Sequence, residues 1–366
     1  MAPVTAAIIL AAGGTGGHMV PAHALSEVLR QRGHHITLLT DARGLRFPGL
    51  FAGVDRHVIP AATISGLNPL RWLSALNTIR KGRAAARAII ATTQARAVVG
   101  FGGYPALPAL LAGLAARLPA ILHEQNAVLG RVNRFLASRV GTIALSYADT
   151  ARLRPTDAAR AITTGNPVRA DVLAGAAAPF TAPAPNEPFH LLVTGGSQGA
   201  SILSRILPAA LATLAPADKS RLRIAQQCRP EDLSEVATVY KAAGIEAECL
   251  TYMEDLPARI AAAHLVIARS GASTMAELSV IGRPAILVPF AAATDDHQAA
   301  NAREFVSAGG GIMLREAEFT ATTVAGAVTG FMRDSAGLAH AAAAAKSTGH
   351  PDAACRLADL VEGLIA

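Results

Sequence analysis

Residues 6–18 read Ala-Ala-Ile-Ile-Leu-Ala-Ala-Gly-Gly-Thr-Gly-Gly-His, and residues 189–201 read Phe-His-Leu-Leu-Val-Thr-Gly-Gly-Ser-Gln-Gly-Ala-Ser. In each, a continuous apolar run is closed by glycines and followed by a segment of helical period. A strand with one wet face would alternate apolar and polar residues. A continuous run therefore predicts a strand covered on both faces, as in a parallel sheet. The glycines predict a tight strand-to-helix turn.

The same alternation extends outward from both stretches. Aliphatic runs at Ala6–Ala11, Ile36–Thr40, Ala97–Phe101, Ala120–His123 and Thr142–Ser146 are separated by Ala/Leu/Arg-rich helical segments. They resume at His190–Thr194, Leu222–Gln226, Leu265–Ala268 and Ala285–Pro289. Between the two series, Asn166 to Pro188 carries Pro167, Pro179, Pro183, Pro185 and Pro188 and reads as a linker with a surface loop. The fold class is α/β: two Rossmann-like, doubly wound domains in tandem, facing a cleft. Near the C-terminus Leu357, Leu360, Val361, Leu364 and Ile365 share one helical face, which can pack back on either domain.

Composition narrows the function classes. The chain has 366 residues, 51% hydrophobic and 16% charged, which suits two folded domains and excludes disorder. A net charge of +7 favours an anionic partner. With 4% aromatic residues, stacking platforms for nucleic acid are not expected, and no nucleic-acid partner is. Cys228, Cys249 and Cys355 form no Cys-x-x-Cys pair, so neither a disulfide framework nor a zinc ribbon is indicated, and a reducing cytoplasm fits. No Lys or Arg precedes the first apolar run, which reads as a strand rather than a secretory signal. The run from Pro105 to Ala116 is well short of the roughly 18–20 residues a membrane span needs.

Several turns carry polar groups suited to a ligand. Gly13-Gly14-Thr15-Gly16-Gly17-His18 offers backbone N–H groups and a helix N-terminus to a phosphate. Met19 stands where a dinucleotide fingerprint needs its third glycine, and no Gly-Lys dipeptide marks a P-loop. Asp41, ending the next run, sits where a dinucleotide fold puts its ribose-binding acid, so an NAD-linked oxidoreductase or nucleotide-sugar epimerase stays open. A non-catalytic membrane adaptor that holds a nucleotide sugar also stays open. Gly195-Gly196-Ser197-Gln198-Gly199 repeats the turn in the second half. Phe101-Gly102-Gly103-Tyr104-Pro105 is a third such turn, and the polar block His123-Glu124-Gln125-Asn126 reads as site lining. In Arg269-Ser270-Gly271-Ala272-Ser273-Thr274-Met275-Ala276-Glu277, the side chains of Ser273, Thr274 and Glu277 can reach a nucleotide or merely cap a helix. Asp295-Asp296-His297-Gln298 reads as a solvated loop, since one acidic pair and one His make a poor metal site.

Taken in order, GGTGGH, GGY, HEQN, GNPVR, GGSQGA, RSGA-S-T-x-x-E and PF…DDHQ…NA resemble the MurG family of N-acetylglucosaminyltransferases, which convert lipid I to lipid II in peptidoglycan synthesis. The resemblance runs from the first strand to about Asn301. It implies an inverting GT-B glycosyltransferase on the cytoplasmic side of the bacterial inner membrane, with no cofactor and no metal. Residues 1–164, with 352–366 packed back on them, would form the acceptor and membrane-facing domain, and 165–351 the UDP-GlcNAc domain. The implied donor contacts are Thr15, Gly16, Gly17, Asn126, Arg169, Ser197, Met253, Ser273, Thr274, Glu277 and Gln298. Glu277 would hold the ribose and Gln298 would read the sugar hydroxyls. Family members often carry a second Gln where this chain has His297, and a larger aliphatic residue at Ser273. Gly14, Thr15, His18 and Tyr104 match the side that takes lipid I. His18 is either the base for the attacking hydroxyl or a ligand of the acceptor's diphosphate.

That acceptor requires contact with a lipid surface. Leu70, Trp72, Leu73, Leu76 and Ile79 are interleaved with Arg71, Arg80, Lys81, Arg83 and Arg87, the composition of a helix that dips into a headgroup layer of anionic phospholipid. An ordinary amphipathic helix packed on a core has the same pattern.

Overall fold

The computed structural model describes residues 5–46, 49–62, 69–196 and 199–366, with the side chains of residues 69–71 outside that set. The chain divides into two compact units, one comprising Met1–Arg169 with His350–Ala366 and the other Ala170–Gly349.

Unit 1 runs β1 (Ala7–Ala11), α1 (Gly16–Gln31), β2 (His35–Thr40), β3 (Asp55–Val58), α2 (Pro69–Thr93), β4 (Ala97–Gly100), α3 (Gly103–Ala115), β5 (Ala120–Glu124), α4 (Arg131–Ala137), β6 (Thr142–Leu145), α5 (Pro155–Ala158) and β7 (Ala161–Thr163). Its strands form one parallel sheet in the order β3-β2-β1-β4-β5-β6-β7. Unit 2 runs α6 (Ala170–Ala176), β8 (Phe189–Thr194), α7 (Ser201–Ala212), α8 (Pro216–Arg221), β9 (Leu222–Gln227), α9 (Leu233–Ala242), β10 (Glu246–Leu250), α10 (Leu256–Ala262), β11 (Leu265–Ala268), α11 (Ala272–Ile281), β12 (Ala285–Leu287), α12 (His297–Ser307), β13 (Gly311–Met313), α13 (Ala321–Arg333) and α14 (Ser335–Ser347). Its parallel sheet is ordered β10-β9-β8-β11-β12-β13. Each sheet thus winds outward in two directions from its first strand, the Rossmann arrangement.

The apolar runs explain the layers. Along β1, Ile8 and Leu10 point into a core with Met19, Leu25 and Leu29 of α1, while Ile9 and Ala11 point into another with Ala106, Ala109 and Leu110 of α3. In unit 2, Phe189, Leu191 and Val193 pack with Leu203, Leu207 and Leu211 of α7 and Val324 and Val328 of α13. The helix α15 (Ala353–Ile365) completes the first of these cores: Leu357, Ala358, Val361 and Ile365 join Ile8, Leu10 and the α1 residues. Each of the buried Leu, Val and Ile side chains contributes about 2 kcal/mol. Polar bonds hold α15 in register, with Arg32 Nη1 donating to Asp359 (2.6 Å) and Glu362 (2.7 Å) and His34 Nε2 lying 2.9 Å from Glu362. Leu364, expected on the buried face, is exposed.

Four strands carry no apolar run in the sequence: β3, β7, β10 and β13. All four are sheet edges. An edge strand lacks full cover, so Asp55-Arg56-His57-Val58 forms a strand whose residues are all exposed. The Asn166–Pro188 stretch is also more ordered than a linker, since it contains α6, whose buried Val172 anchors it where it packs on α10 and α11. Seven residues between prolines are too few to display a helical period.

Candidate active site

In an open parallel sheet, ligands bind at the carboxyl ends of the strands where the order reverses. That point falls beside β1 and β4 in unit 1, and beside β8 and β11 in unit 2. The glycine turns quoted above lie at these ends.

In unit 1 the turns after β1 and β4 close on each other around His18. Gly102 and Gly103 have φ of +79° and +73°. A Cβ on Gly103 would lie 2.9 Å from the Gly13 carbonyl oxygen, and one on Gly102 would lie 3.3 Å from the His18 ring. Only glycine admits both the conformation and the approach. Half-buried His18 has Nδ1 3.4 Å from Thr15 Oγ1. A neutral imidazole keeps a lone pair on one of its two ring nitrogens. Burial lowers the His18 pKa from its ordinary value; Glu124 nearby opposes this. At neutral pH the imidazole is uncharged.

The block His123–Asn126 is largely a scaffold rather than site lining. His123, Glu124 and Gln125 are buried. Glu124 Oε1 accepts from the Asn126 backbone N–H (3.0 Å) and side-chain amide (3.1 Å), and Oε2 from Gly130 N–H (2.8 Å) and Asn133 Nδ2 (2.7 Å). His123 Nε2 bonds the Gly165 carbonyl (3.1 Å), and burial pushes its pKa down to about 4. A buried carboxylate needs such partners, and here they fix the loop that presents half-buried Asn126. Asp41 is likewise engaged. Its Oδ1 accepts from Gly14 N–H (3.1 Å) and Gly44 N–H (3.0 Å), and Oδ2 pairs with Arg43. It braces the glycine turn and has no oxygen left for a dinucleotide ribose.

In unit 2, Thr194 Oγ1 at the end of β8 accepts from Gly196 N–H (3.2 Å) and donates to Gln227 (2.9 Å), shaping the second glycine turn. Ser197 and Gln198 lie outside the described residues. After β11, the hydroxyls of Ser270 and Ser273 are buried without a hydrogen-bond partner among the described residues. Glu277 is 6% exposed. It lies in the second turn of α11, whose N-cap is Gly271. Thr274 is half-buried beside it on the same helix. Gln298, at the start of α12, accepts from Phe290 N–H (2.9 Å), which leaves its NH₂ group as the donor. Asp295 and Asp296 just before it adopt left-handed backbone, φ +57° and +52°. Asp296 pairs with Arg315 at 3.0 Å and His297 bonds the Thr294 carbonyl. Among the described residues no three His, Cys, Asp or Glu side chains gather as a metal cluster. Met253 is buried in the turn after β10, and Arg169, half-buried, ends the first stretch of unit 1.

Comparison with known proteins accounts for both glycine-turn units. Residues 8–145 match the glycosyltransferase family 28 N-terminal domain, and residues 190–357 match its C-terminal domain. The chain belongs to glycosyltransferase family 28. Among relatives of this glycosyltransferase, one from Erythrobacter litoralis is 52% identical over 97% of this chain and 89% of its own. One from Novosphingobium aromaticivorans is 52% identical over 99% of this chain and 93% of its own. Both are named UDP-N-acetylglucosamine--N-acetylmuramyl-(pentapeptide) pyrophosphoryl-undecaprenol N-acetylglucosamine transferase. The crystal structure of Acinetobacter baumannii MurG superposes with a TM-score of 0.78 at 27% identity, covering 98% of this chain and 99% of that one. The fold of this family 28 glycosyltransferase is GT-B.

The α2 face divides differently from its sequence pattern. Trp72, Leu73 and Leu76 are exposed, Leu73 by 64%, and Arg80, Lys81, Arg83 and Arg87 are exposed along the same helix. Ile79, expected on that surface, is buried with Ala75, Ala86 and Ile90 on the face that packs on α3. At Gly82 the Pro60 carbonyl, and then Pro108 of α3, approach too closely for any side chain, which fixes that face inward. The Leu70 side chain lies outside the described residues. No helix among the described residues is long and apolar enough to cross a membrane.

Sequence reasoning passed over Asn133, Arg43 and the Gln298–Phe290 bond. Only Arg43 left a visible signal, a cation two residues beyond the acid that ends β2.

Proposed function

We propose that this glycosyltransferase moves GlcNAc from UDP-GlcNAc to the C4 hydroxyl of MurNAc in an undecaprenyl-diphosphate-linked acceptor, turning lipid I into lipid II. The observation that carries this reading is 52% identity across nearly the whole chain with relatives named for that transfer. Unit 2 holds the donor. Glu277 accepts from the ribose hydroxyls, Met253 meets the uracil through its backbone, and Ser197, Ser273 and Thr274 donate to the diphosphate. Gln298, with its oxygen committed to Phe290, donates to the sugar hydroxyls, and Asn126 is assigned to the donor as well. The donor contacts of Thr15, Gly16 and Gly17 and the acceptor contacts of Gly14, Thr15, His18 and Tyr104 complete the assignment.

The reaction is a direct displacement with inversion. The acceptor oxygen bonds to the anomeric carbon as that carbon's bond to the UDP phosphate oxygen breaks, and the hydroxyl proton passes to the ring nitrogen of His18 that carries the lone pair. Charge developing on UDP is met by N–H groups of the Gly195–Gly196 turn, the N-terminus of α7 and Arg169. Glu124 favours the imidazolium that forms.

The chain alone, given radiolabelled UDP-GlcNAc and a soluble lipid I analogue, transfers label to the acceptor. Absence of transfer from correctly folded protein rejects this reading. Glu277→Ala weakens UDP-GlcNAc binding by about 1–3 kcal/mol, the cost of a carboxylate's lost hydrogen bonds. Unchanged donor affinity in calorimetry removes Glu277 from the donor site.

The acceptor's lipid also implies docking on the cytoplasmic face of the inner membrane. Supporting this are exposed Trp72, Leu73 and Leu76 beside four exposed cations on α2. Leu73→Glu combined with Leu76→Glu lowers flotation with anionic vesicles and spares activity on a short-chain acceptor. Wild-type flotation by a folded double variant moves the membrane face off α2.

A further inference from the structure

Arg43 stands on the rim of the unit 1 glycine turn in an unusual setting. Its Nε and Nη2 donate to Asp41 Oδ2 at 3.0 and 2.7 Å. Asp41 Oδ1 is held by two backbone N–H groups, so the carboxylate is fully engaged and clamps the guanidinium in one orientation. The Cζ atom lies over the Tyr104 ring, 5.0 Å from its centre, a cation–π contact that adds to the hold on the guanidinium. Both terminal nitrogens border Gly14, where a Cβ would lie 3.1 Å from Nη2 and 3.7 Å from Nη1. The side chain is nevertheless 45% exposed.

A guanidinium has five N–H donors, and Asp41 takes two. The remaining edge is open to solvent beside Gly14 and the start of α1. A planar, pre-oriented fork of that kind matches phosphate oxygens, which a flexible lysine would meet only as a point charge. Asp41 orients the fork while its own charge is shielded by four donors. We propose that Arg43 is the side-chain cation that binds the diphosphate of the polyprenyl-linked acceptor. This rests on the transfer reaction proposed above and adds to it a residue for acceptor binding. Gly14 and Tyr104, its neighbours there, are both assigned to the acceptor, so its effect is expected on acceptor binding.

The test compares wild type, Arg43→Gln and Arg43→Lys. Their melting temperatures are measured alongside, so that a folding defect is recognised. With a soluble diphosphate-linked acceptor, Arg43→Gln raises the acceptor KM about 10- to 100-fold, the loss of charge-assisted hydrogen bonds. Arg43→Lys falls in between, and the KM for UDP-GlcNAc does not change. In calorimetry, farnesyl diphosphate binds wild type at least about tenfold more tightly than Arg43→Gln, on the same scale. If Arg43→Gln does not fold, Arg43→Lys carries both comparisons. Equal farnesyl diphosphate affinity in wild type and a folded variant overturns the proposal, as does a matching loss of UDP-GlcNAc affinity. Wild-type protein that transfers no GlcNAc to the diphosphate acceptor overturns the reaction itself, a result distinct from either.

Discussion

His18→Ala lowers kcat for GlcNAc transfer by about 10²- to 10⁴-fold, the range a positioned general base supplies, and leaves UDP-GlcNAc affinity within about twofold of wild type. The expectation follows from the location of His18 in the unit 1 turn and from the lone pair a neutral imidazole keeps. The alternative role, a ligand of the acceptor's diphosphate, gives a different signature: acceptor KM rises while kcat at saturation is kept. The pH dependence separates the two further. Burial depresses the His18 pKa, so the unprotonated base persists below the ordinary imidazole value near 6.5. The acid limb of kcat therefore lies below pH 6.5 in wild type and vanishes in His18→Ala. A variant that loses donor binding but turns over normally when saturated takes His18 out of the chemical step.

Glu124→Ala destabilises unit 1 by about 3 kcal/mol or more, because it strands buried donors that the carboxylate now satisfies. Those donors are the backbone N–H groups of Asn126 and Gly130 and the amides of Asn126 and Asn133. For a unit of this size the melting temperature falls by roughly 6–12 °C. Glu124→Gln retains the shape but turns an N–H toward one set of donors, and its loss is smaller. Both variants also lower kcat, since the charge that favours protonated His18 is gone. Wild-type melting of Glu124→Ala in calorimetry dismisses the network as the support of the Asn126 loop.

What the sequence displayed follows from how each element is solvated. Inner strands such as Ala97–Gly100 and Leu265–Ala268 are covered on both faces and announce themselves as aliphatic runs. Glu246–Leu250 and Gly311–Met313 sit at edges, and their residues carry no comparable pattern. The glycine turns were legible because backbone approach, as at Gly103 against Gly13, admits no other residue. Polarity alone misled at His123–Gln125, where a buried hydrogen-bonded scaffold and a ligand-facing block use the same residue types. Ile79 misled for a related reason: a leucine-rich helix facing lipid and one facing a core read alike, and only its packing on α3 decides. The pairing of Asp41 with Arg43, and of Gln298 with Phe290 N–H, depends on turns whose geometry no linear motif encodes.

The position of α15 has a consequence for how the protein comes into being. Residues Leu357, Val361 and Ile365 cover Ile8 and Leu10, yet the whole of Ala170–Gly349 is made between them. At about 5–20 residues per second, α15 follows β7 from the ribosome by roughly 10–40 s. Through that interval one face of the nascent β1–β2–β4 sheet has α1 but not its second cover, and its apolar side chains are open to chaperones or to other nascent chains. Unit 2, a single uninterrupted stretch, has no such dependence and can reach its native state first. The half of the protein that is translated first is the half that finishes folding last.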